Sequence, residues 1–263
     1  VLFISSYEGF TMVDRVQESA DRIVAAMAAG ELRPILSAES PLDLDSAYEI
    51  QAKVVAQSGM TIAGFKAALS NEAGQKALGV SEPELGVLPT AGEGVSGGSF
   101  NLGDLHGPVI ETEIGYRVGA AISAPVTPET VWDYLDKAIP VFEIADPAFA
   151  PDGSRTGADL VAVNSAAAAF VPGDAAASTD DLDAVRVVMS RDDEKLSEGV
   201  GTDAMGGQIQ AVCWLINKAV AHGYTLDPGQ LLMTGALGGP QPGQPGHYVG
   251  DYGAFGRIEF DLI

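Results

Sequence analysis

Two glutamates placed two residues apart in an apolar segment are the feature that most restricts how this chain folds. Glu111 and Glu113 lie in Val-Ile-Glu-Thr-Glu-Ile-Gly, whose β-branched residues are typical of a strand. Side chains at i and i+2 of a strand point to the same face, so both carboxylates project to one side of a sheet. Glu143 lies in a second strand-like segment, Pro-Val-Phe-Glu-Ile-Ala.

Carboxylates inside apolar strands require a cationic partner, because an unpaired buried charge is strongly destabilising or changes its protonation state. A set of ligands that contains only oxygen suits Mg²⁺ or Mn²⁺. The spacing therefore predicts a divalent-metal site at Glu111, Glu113 and Glu143. The alternative is that both strands are half exposed and that the three carboxylates face solvent.

The charge balance argues against two classes of partner. The chain has 263 residues, enough for one large domain or two small ones, with 14 Lys and Arg against 36 Asp and Glu and a net charge of −22. Such an acidic surface repels nucleic acid and anionic membranes. No apolar stretch approaches the roughly 20 residues that a membrane span requires.

The single cysteine, Cys213, excludes an internal disulfide and fits a reducing, cytoplasmic compartment. It lies in an apolar helical segment, which predicts a buried packing thiol. Residues 1 to 11 lack an initiator methionine and a basic region, so we interpret them as an upstream or non-native extension that precedes a natural start at Met12.

Hydrophobic periodicity predicts an α+β fold, with two helices at residues 13 to 29 and 44 to 58 ahead of a strand-rich body. Thr127 and Pro128 predict the start of a short helix with Trp132 and Leu135 facing inward. A further helix is predicted at residues 208 to 221. Gly-rich loops are predicted at 91 to 103 and 235 to 250, and strands at 61 to 65, 139 to 145, 160 to 163, 184 to 190, 231 to 234 and 257 to 263.

Several short motifs occur in an order and spacing that together resemble one known family. They are Ala47 to Gln51, Gly64-Phe65-Lys66, Pro83 to Leu88, the Glu111 and Glu113 pair, Glu143, Asn164-Ser165, Ala211 to Leu215 and Asp251-Tyr252-Gly253. From about Met12 to Ile263 the chain resembles the 2-keto-4-pentenoate hydratase family of the fumarylacetoacetate hydrolase superfamily. The resemblance implies a mixed β-roll core with an N-terminal helical portion, which we place at residues 12 to 60 ahead of a catalytic domain at 61 to 263.

The resemblance also implies an activity. Members of this family use Mg²⁺ or Mn²⁺ to hydrate a 2-hydroxy-2,4-dienoate to a 4-hydroxy-2-oxo acid in the meta-cleavage catabolism of aromatic compounds. We expect a small 2-oxo or 2-hydroxydienoic acid as substrate, and a cytoplasmic homo-oligomer that associates in some cases with a neighbouring pathway enzyme. The alternatives are a 4-oxalocrotonate-type decarboxylase and a non-catalytic subunit that binds 2-oxo acids. Phe65 to Glu72 lacks the histidine of the hydrolytic members of the superfamily.

Lys66 and Glu84 match positions that carry proton-transfer groups in the family. Burial after Thr-Ile-Ala-Gly-Phe is expected to lower the pKa of Lys66, and a nearby metal would lower it further. An exposed lysine at the end of a strand is the alternative. Glu84 stands where the family usually has aspartate, so its carboxylate is displaced by one methylene. A surface loop acid is the alternative for Glu84.

Asn164 and Ser165 match a polar pair that holds the carboxylate end of the substrate, and Gln51 is a further candidate for the wall of the site. A strand-end turn for the pair and a helix-face amide for Gln51 are the alternatives. The chain departs from the family pattern at Val163, where an aspartate is usual, and at Ala68, where glycine is usual. These departures predict a changed substrate pocket, or a paralogue with reduced or different activity.

Overall fold

A computed structural model describes residues 12 to 150, 153 to 174 and 181 to 263 of the chain. The extension that we interpret at residues 1 to 11 lies outside the described residues. The α-helices are α1 (Met12–Ala29), α2 (Leu44–Ser58), α3 (Glu72–Leu78), α4 (Gly157–Ala162) and α5 (Gln208–Ala221). The strands are β1 (Ile62–Ala68), β2 (Glu84–Pro89), β3 (Gly98–Phe100), β4 (Val109–Val118), β5 (Leu135–Ala145), β6 (Ala169–Pro172), β7 (Arg186–Arg191), β8 (Glu194–Val200), β9 (Leu231–Met233), β10 (Gln241–Pro242), β11 (Gly246–Asp251) and β12 (Arg257–Leu262).

The strands form two sheets. The larger sheet has the order β2-β1-β9-β4-β5-β6, with β10 added to β4, and the smaller has the order β3-β12-β11-β7-β8. The antiparallel pair of β4 and β5 lies in the larger sheet and is formed by its longest strands. Strand β9 lies between this pair and β1. It pairs antiparallel with β4 and parallel with β1.

The helices predicted at residues 13 to 29 and 44 to 58 are present as α1 and α2. The Asp43 side chain accepts a hydrogen bond from the backbone amide of Ser46, which satisfies a free donor at the start of α2. Gly59 ends this helix in the left-handed conformation with φ 66°. No helix among the described residues combines the length and hydrophobicity that a bilayer crossing requires.

The strand predicted at residues 160 to 163 is wrong, because α4 occupies this segment. The Thr156 side chain accepts from the Asp159 amide, and the Asp159 carboxylate accepts from the Thr156 amide. This capping box stabilises a helix start and outweighs the strand preference of the valines that follow. The short helix predicted from Thr127 is also wrong, since the segment contains a single 3-10 turn and Trp132 is 44% exposed.

The two segments predicted as loops contain strands that the local sequence did not indicate. Strand β3 lies within residues 91 to 103, and β10 and β11 begin within residues 235 to 250. Each of these strands pairs with a segment that is distant in sequence. Long-range pairing therefore determines these elements more than their glycine-rich composition does.

The core includes both faces of the larger sheet. The strand register places Val141 opposite Glu113 and Phe170 opposite Glu143, so these apolar residues share the face of the glutamates. Cys213 is 7% exposed on α5, as the sequence predicts. The hydroxyl of Tyr252, which is 2% exposed, lies 2.9 Å from the carbonyl oxygens of both Glu113 and Val141. Tyr252 thus connects β4 and β5 beside the acidic residues.

Gly64 is required for the contact between β1 and β9. Its φ is 158°, and a Cβ atom at this position would lie 1.9 Å from the backbone oxygen of Leu231. We expect Gly64→Ala to lower the free energy of unfolding by about 3 kcal/mol or more, because backbone atoms of two paired strands must move apart. Urea unfolding followed by circular dichroism measures the change.

Gly59→Ala is the matched control, since Gly59 also has a positive φ but no atom within 4 Å of the added Cβ. We expect this control to cost only about 1 kcal/mol. Equal losses in the two variants would contradict the steric explanation for Gly64.

Candidate active site

The three glutamates predicted as metal ligands lie together. Glu111 lies directly opposite Glu143 in the β4 and β5 pair, and Glu113 follows on the same face of β4. One carboxylate oxygen from each of the three residues lies within 4.8 Å of the others. The pairing of β4 and β5 thus brings three acidic side chains together at one point on the sheet.

The donors present at this point fit a divalent cation. Glu113 and Glu143 are 0% and 1% exposed. Glu113 Oε2 accepts a hydrogen bond of 2.8 Å from the Gly235 amide, whereas Glu113 Oε1 and Glu143 Oε2 are buried without any hydrogen-bond donor. Buried carboxylate oxygens without donors are strongly destabilising unless a cation contacts them. Glu111, Glu113 and Glu143 are therefore the residues that could hold Mg²⁺, Mn²⁺ or Ca²⁺ through oxygen.

Burial and the close approach of several carboxylates raise the pKa values of this site. Burial, together with the Glu143 charge, raises the pKa of Glu111 to about 7. Burial first, and then the charges of Glu143 and Glu111, raise the pKa of Glu113 well above its ordinary value. The site therefore favours binding of either protons or a cation.

Lys66 projects from β1 toward the same group of carboxylates. It is 2% exposed, and its Nζ lies 2.7 Å from Glu143 Oε1. Burial lowers the pKa of Lys66, but the charges of Glu143 and Glu111 outweigh it and raise the pKa above the ordinary value. The sequence-based prediction of a lowered pKa for Lys66 is thus wrong, because it did not take the charges of the neighbouring glutamates into account.

The stem of Lys66 lies against Gly86 on the neighbouring strand β2. A Cβ atom at position 86 would approach Lys66 Cγ and Cε to 3.0 Å. Such a separation is tighter than ordinary van der Waals contact. Glycine at this position leaves room for the lysine to extend across the sheet.

Glu84 is a buried acid and not a surface loop residue. It is 1% exposed at the start of β2, and neither of its carboxylate oxygens has a hydrogen-bond donor. Burial raises the pKa of Glu84 to about 8, although the Lys66 charge acts in the opposite direction. A Cβ atom at Gly157 would lie 2.5 Å from Glu84 Oε1, so the carboxyl group packs against the start of α4.

Asn164 and Ser165 connect α4 to strand β2. The Asn164 amide group accepts from the Val87 amide and donates to the Val87 carbonyl, each at 2.8 Å. The Ser165 hydroxyl donates to the Leu85 carbonyl at 2.9 Å. Both side chains are buried and hold β2 in place beside Lys66.

Gln51 is hydrogen-bonded to the backbone of two neighbouring elements. Its amide nitrogen donates to the carbonyl oxygens of Leu85 at 2.7 Å and of Val161 at 3.2 Å. These two bonds use both amide protons. Gln51 thus ties α2 to β2 and α4, and it is not among the residues that line the cavity described next.

A cavity of about 220 Å³ opens beside Lys66 and Glu111. Ser165 and Arg155 also line it, while Gln51 and Glu84 do not. The remaining wall is mainly apolar and includes Ala68, Leu69, Leu78, Val109, Pro147, Leu160, Ala236 and Pro240. A small acid could place its polar end at Lys66 and Glu111 and its carbon chain along this wall. None of the three histidines lines the cavity.

The backbone beside the cavity is strained. Asn164, Ser165 and Ala166 have positive φ values of 65°, 49° and 58° in succession, and Leu69 has a φ of 52°. Left-handed conformations cost about 1 to 2 kcal/mol each for residues with a side chain. Strain of this kind persists where surrounding contacts enforce it and is common at functional sites.

Two contributors to the site were not recognised from the sequence. The Gly235 amide binds Glu113, and Gly157 makes room for Glu84. Gly235 lies in the segment predicted as a loop, and its positive φ of 112° and close approach to Ser70 are not evident from the sequence. Tyr252 belongs to a motif that the sequence singled out, but its contact with β4 could not be inferred.

The known proteins to which this chain is similar include a hydratase and a decarboxylase. No protein-family model matches the chain. The 2-keto-4-pentenoate hydratase of Paraburkholderia xenovorans (strain LB400) is 30% identical over 88% of this chain and 88% of its own length. A 4-oxalocrotonate decarboxylase of a Pseudomonas species is 26% identical over 84% of this chain and 88% of its own length.

The chain belongs to the 2-keto-4-pentenoate hydratase family.

The fold agrees with this membership. A solved structure of 4-oxalocrotonate decarboxylase from Pseudomonas putida G7, complexed with magnesium and adipate, is similar with a TM-score of 0.88 and 25% identity, covering 97% of this chain and 99% of that one. The mixed arrangement of helices and curled sheets is thus that of fumarylacetoacetate hydrolase-like proteins. Position 84 of this chain is glutamate, where the family resemblance leads us to expect aspartate.

Glu84 gives the chain a pH-dependent stability that can be measured. Between the ordinary pKa of 4.5 and the folded value of about 8, the folded state keeps a proton that the unfolded state has lost. Stability therefore falls as pH rises through this range, by about 1.4 kcal/mol per unit at most. We expect Glu84→Gln to remove this loss, so that the variant gains stability relative to the parent between pH 5 and pH 8.

Urea unfolding at pH 5, 6.5 and 8 measures the effect. Glu49→Gln, at an exposed position of α2, controls for the removal of a carboxylate. A difference between Glu84→Gln and the parent that stays constant with pH would show that Glu84 is ionised in the folded chain.

Proposed function

We propose that this chain is a divalent-metal-dependent hydratase. It adds water to a 2-hydroxy-2,4-dienoate, through its 2-oxo-3-enoate tautomer, and produces a 4-hydroxy-2-oxo acid in the meta-cleavage catabolism of aromatic compounds. The observation that carries this proposal is the convergence of Glu111, Glu113 and Glu143 beside Lys66 at the wall of a cavity. The hydratase names of the relatives support the same reaction.

We propose Mg²⁺ or Mn²⁺ as the cation held by Glu111, Glu113 and Glu143. The donor set is entirely carboxylate oxygen, which suits these ions. The related decarboxylase binds magnesium in one structure and calcium in another. When bound, such an ion would supply Lewis acidity that stabilises negative charge on the 2-oxygen of the substrate.

Lys66 is the group proposed to move protons at the substrate. Lys66 lines the cavity. Its ammonium group donates a proton to the distal carbon of the dienol, and the resulting amine takes up the proton lost from the 2-hydroxyl group, which yields the α,β-unsaturated ketone that water attacks. Glu84 does not line the cavity, so we propose that it holds a second proton behind Lys66. Its raised pKa keeps this carboxyl group protonated near neutral pH.

The polar residues around Lys66 position the substrate and the strand. We propose that Ser165, which lines the cavity, contacts the carboxylate end of the substrate. Asn164 contributes its remaining amide proton at the same end, and Gln51 acts by fixing the position of β2. The Ser165 and Asn164 side chains are neutral, so they add no negative charge to that of the three glutamates.

The wider organisation belongs to the same proposal. We divide the chain into a helical portion at residues 12 to 60 and a catalytic β-roll domain at 61 to 263. The single buried cysteine fits a cytoplasmic enzyme. A homo-oligomer, with or without a neighbouring pathway enzyme, follows from the family resemblance alone.

The reaction is tested with metal-loaded protein and two substrates. We expect 2-hydroxypenta-2,4-dienoate to lose its ultraviolet absorbance and to give a 4-hydroxy-2-oxo acid identified by nuclear magnetic resonance. Release of CO₂ from 2-oxo-3-hexenedioate would instead support the decarboxylase alternative. Inertness toward both substrates would contradict both enzymes and leave the non-catalytic binding subunit.

Lys66→Met is expected to lower kcat by about a hundredfold or more, because a positioned proton carrier contributes on that scale. Mn²⁺ binding, measured by calorimetry, should persist in this variant, since the glutamates remain. Lys53→Met is the control, because Lys53 lies on α2 and donates to Gln17. Unchanged turnover in Lys66→Met would remove Lys66 from the reaction.

Glu113→Gln is expected to weaken Mn²⁺ binding by at least about a hundredfold, since the loss of an outer-shell partner alone can weaken binding on that scale. The rise in melting temperature that Mn²⁺ causes in the parent should then disappear. Calorimetry and thermal unfolding with and without the ion measure both effects. Glu49→Gln serves as the control, and equal ion binding in all three proteins would refute the proposed ligand set.

A further inference from the structure

The cavity beside the glutamates contains a second cation that the proposed hydration reaction does not use. Its charged lining residues are Lys66, Glu111 and Arg155. Lys66 is engaged with Glu143, and Glu111 belongs to the proposed metal site. Arg155 is therefore the one charged group of this lining without a function assigned above.

Arg155 has no ion-pair partner within the described parts of the chain. Asp159, an acid four residues later, is occupied by Thr156 and by the backbone and hydroxyl of Ser37. Although the chain has 36 acidic residues and only 14 basic ones, Arg155 faces a cavity and not a carboxylate. Its guanidinium group is therefore available to bind an external anion.

The position of Arg155 is defined by the structure next to it. It immediately precedes Thr156, the first residue of the capping box that begins α4. Leu160 of α4 and Pro147 contribute to the apolar wall of the same cavity. The cavity is thus lined by the polar pair Lys66 and Glu111, by a mainly apolar wall, and by Arg155, which is exposed.

This arrangement fits an acid with charges at both ends. The first carboxylate and the 2-oxygen belong at the end formed by Glu111 and Lys66 under the proposed function. The carbon chain then lies along Leu69, Leu160 and Pro240. A guanidinium group binds a carboxylate through two parallel hydrogen bonds, which a terminal methyl or methylene group cannot make.

We propose that Arg155 binds a second carboxylate at the tail of the substrate, so that this chain acts on dicarboxylic 2-oxo or 2-hydroxydienoic acids. The assignment rests on the proposed function, because it requires the first carboxylate to lie at the glutamates. Hydration takes place in the middle of the carbon chain and leaves the tail carboxylate unchanged. Arg155 is thus a specificity-determining residue and takes no part in proton transfer.

Two saturated 2-oxo acids of equal length test this assignment without turnover. We expect Mn²⁺-loaded protein to bind 2-oxoadipate at least about tenfold more tightly than 2-oxohexanoate in calorimetry, since the two differ only in a terminal carboxylate and methyl group. The preference should decrease as salt concentration rises, because Arg155 is exposed.

Arg155→Met is expected to abolish the preference for 2-oxoadipate, and Arg155→Lys to retain part of it, because an ammonium group attracts the carboxylate without the paired hydrogen bonds. The control is Arg186→Met, at an exposed position of β7 whose side chain does not line this cavity. In steady-state assays, Arg155→Met should lower the ratio of kcat/KM for a dicarboxylic dienoate over 2-hydroxypenta-2,4-dienoate by about tenfold.

The outcomes separate this inference from the function on which it rests. If neither 2-oxo acid binds the metal-loaded parent, the proposed function and the tail assignment both fail. If both acids bind with equal affinity, or if Arg155→Met keeps the preference for 2-oxoadipate, the tail assignment alone fails. Loss of preference in Arg155→Met but not in Arg186→Met supports it.

Discussion

The concentration of buried negative charge between β4 and β5 is the constraint on which the rest of the site depends. Three carboxylates converge there, and among the described residues a single ammonium group, that of Lys66, forms an ion pair with them. One positive charge cannot balance three buried negative charges, so the arrangement favours an additional cation or bound protons. The neighbouring contacts serve to keep this unfavourable group together. The Gly235 amide binds Glu113, and the Tyr252 hydroxyl bridges the backbone of the two strands directly beside it.

Backbone strain near Lys66 has a related function. Asn164, Ser165 and Ala166 adopt left-handed conformations that are unfavourable for residues with a Cβ atom. The hydrogen bonds of Asn164 with Val87 and of Ser165 with Leu85 compensate by fixing β2 to the end of α4. Strand β2 in turn carries Gly86, whose missing side chain leaves room for Lys66. The position of the lysine therefore depends on a segment that is remote from its own strand.

Local sequence patterns were sufficient for the acidic strands and for the helices α1, α2 and α5, because hydrophobic periodicity and terminal residues determine these elements. They were insufficient where two local signals conflict and where long-range pairing decides. The capping box of Thr156 and Asp159 converts a valine-containing segment into a helix, and β11 forms in a glycine-rich region because β7 and β12 flank it. That Glu111 lies opposite Glu143 could not be predicted without the register of β4 and β5. The family resemblance identified Lys66 and Glu84 as candidates, but the raised pKa of each depends on burial and neighbouring charges that only coordinates provide.

Strand β9 links β1 to β4, and this link has a consequence for the order in which the site is assembled. Glu111 and Glu143 lie on strands that follow one another closely and pair directly, whereas Lys66 reaches them through a strand near the end of the chain. The two glutamates are brought together by neighbouring strands, whereas the contact of Lys66 with Glu143 depends on residues 231 to 233, far along the sequence. Because contacts between distant segments form more slowly than local ones, β4 and β5 can pair before Lys66 is brought to their carboxylates.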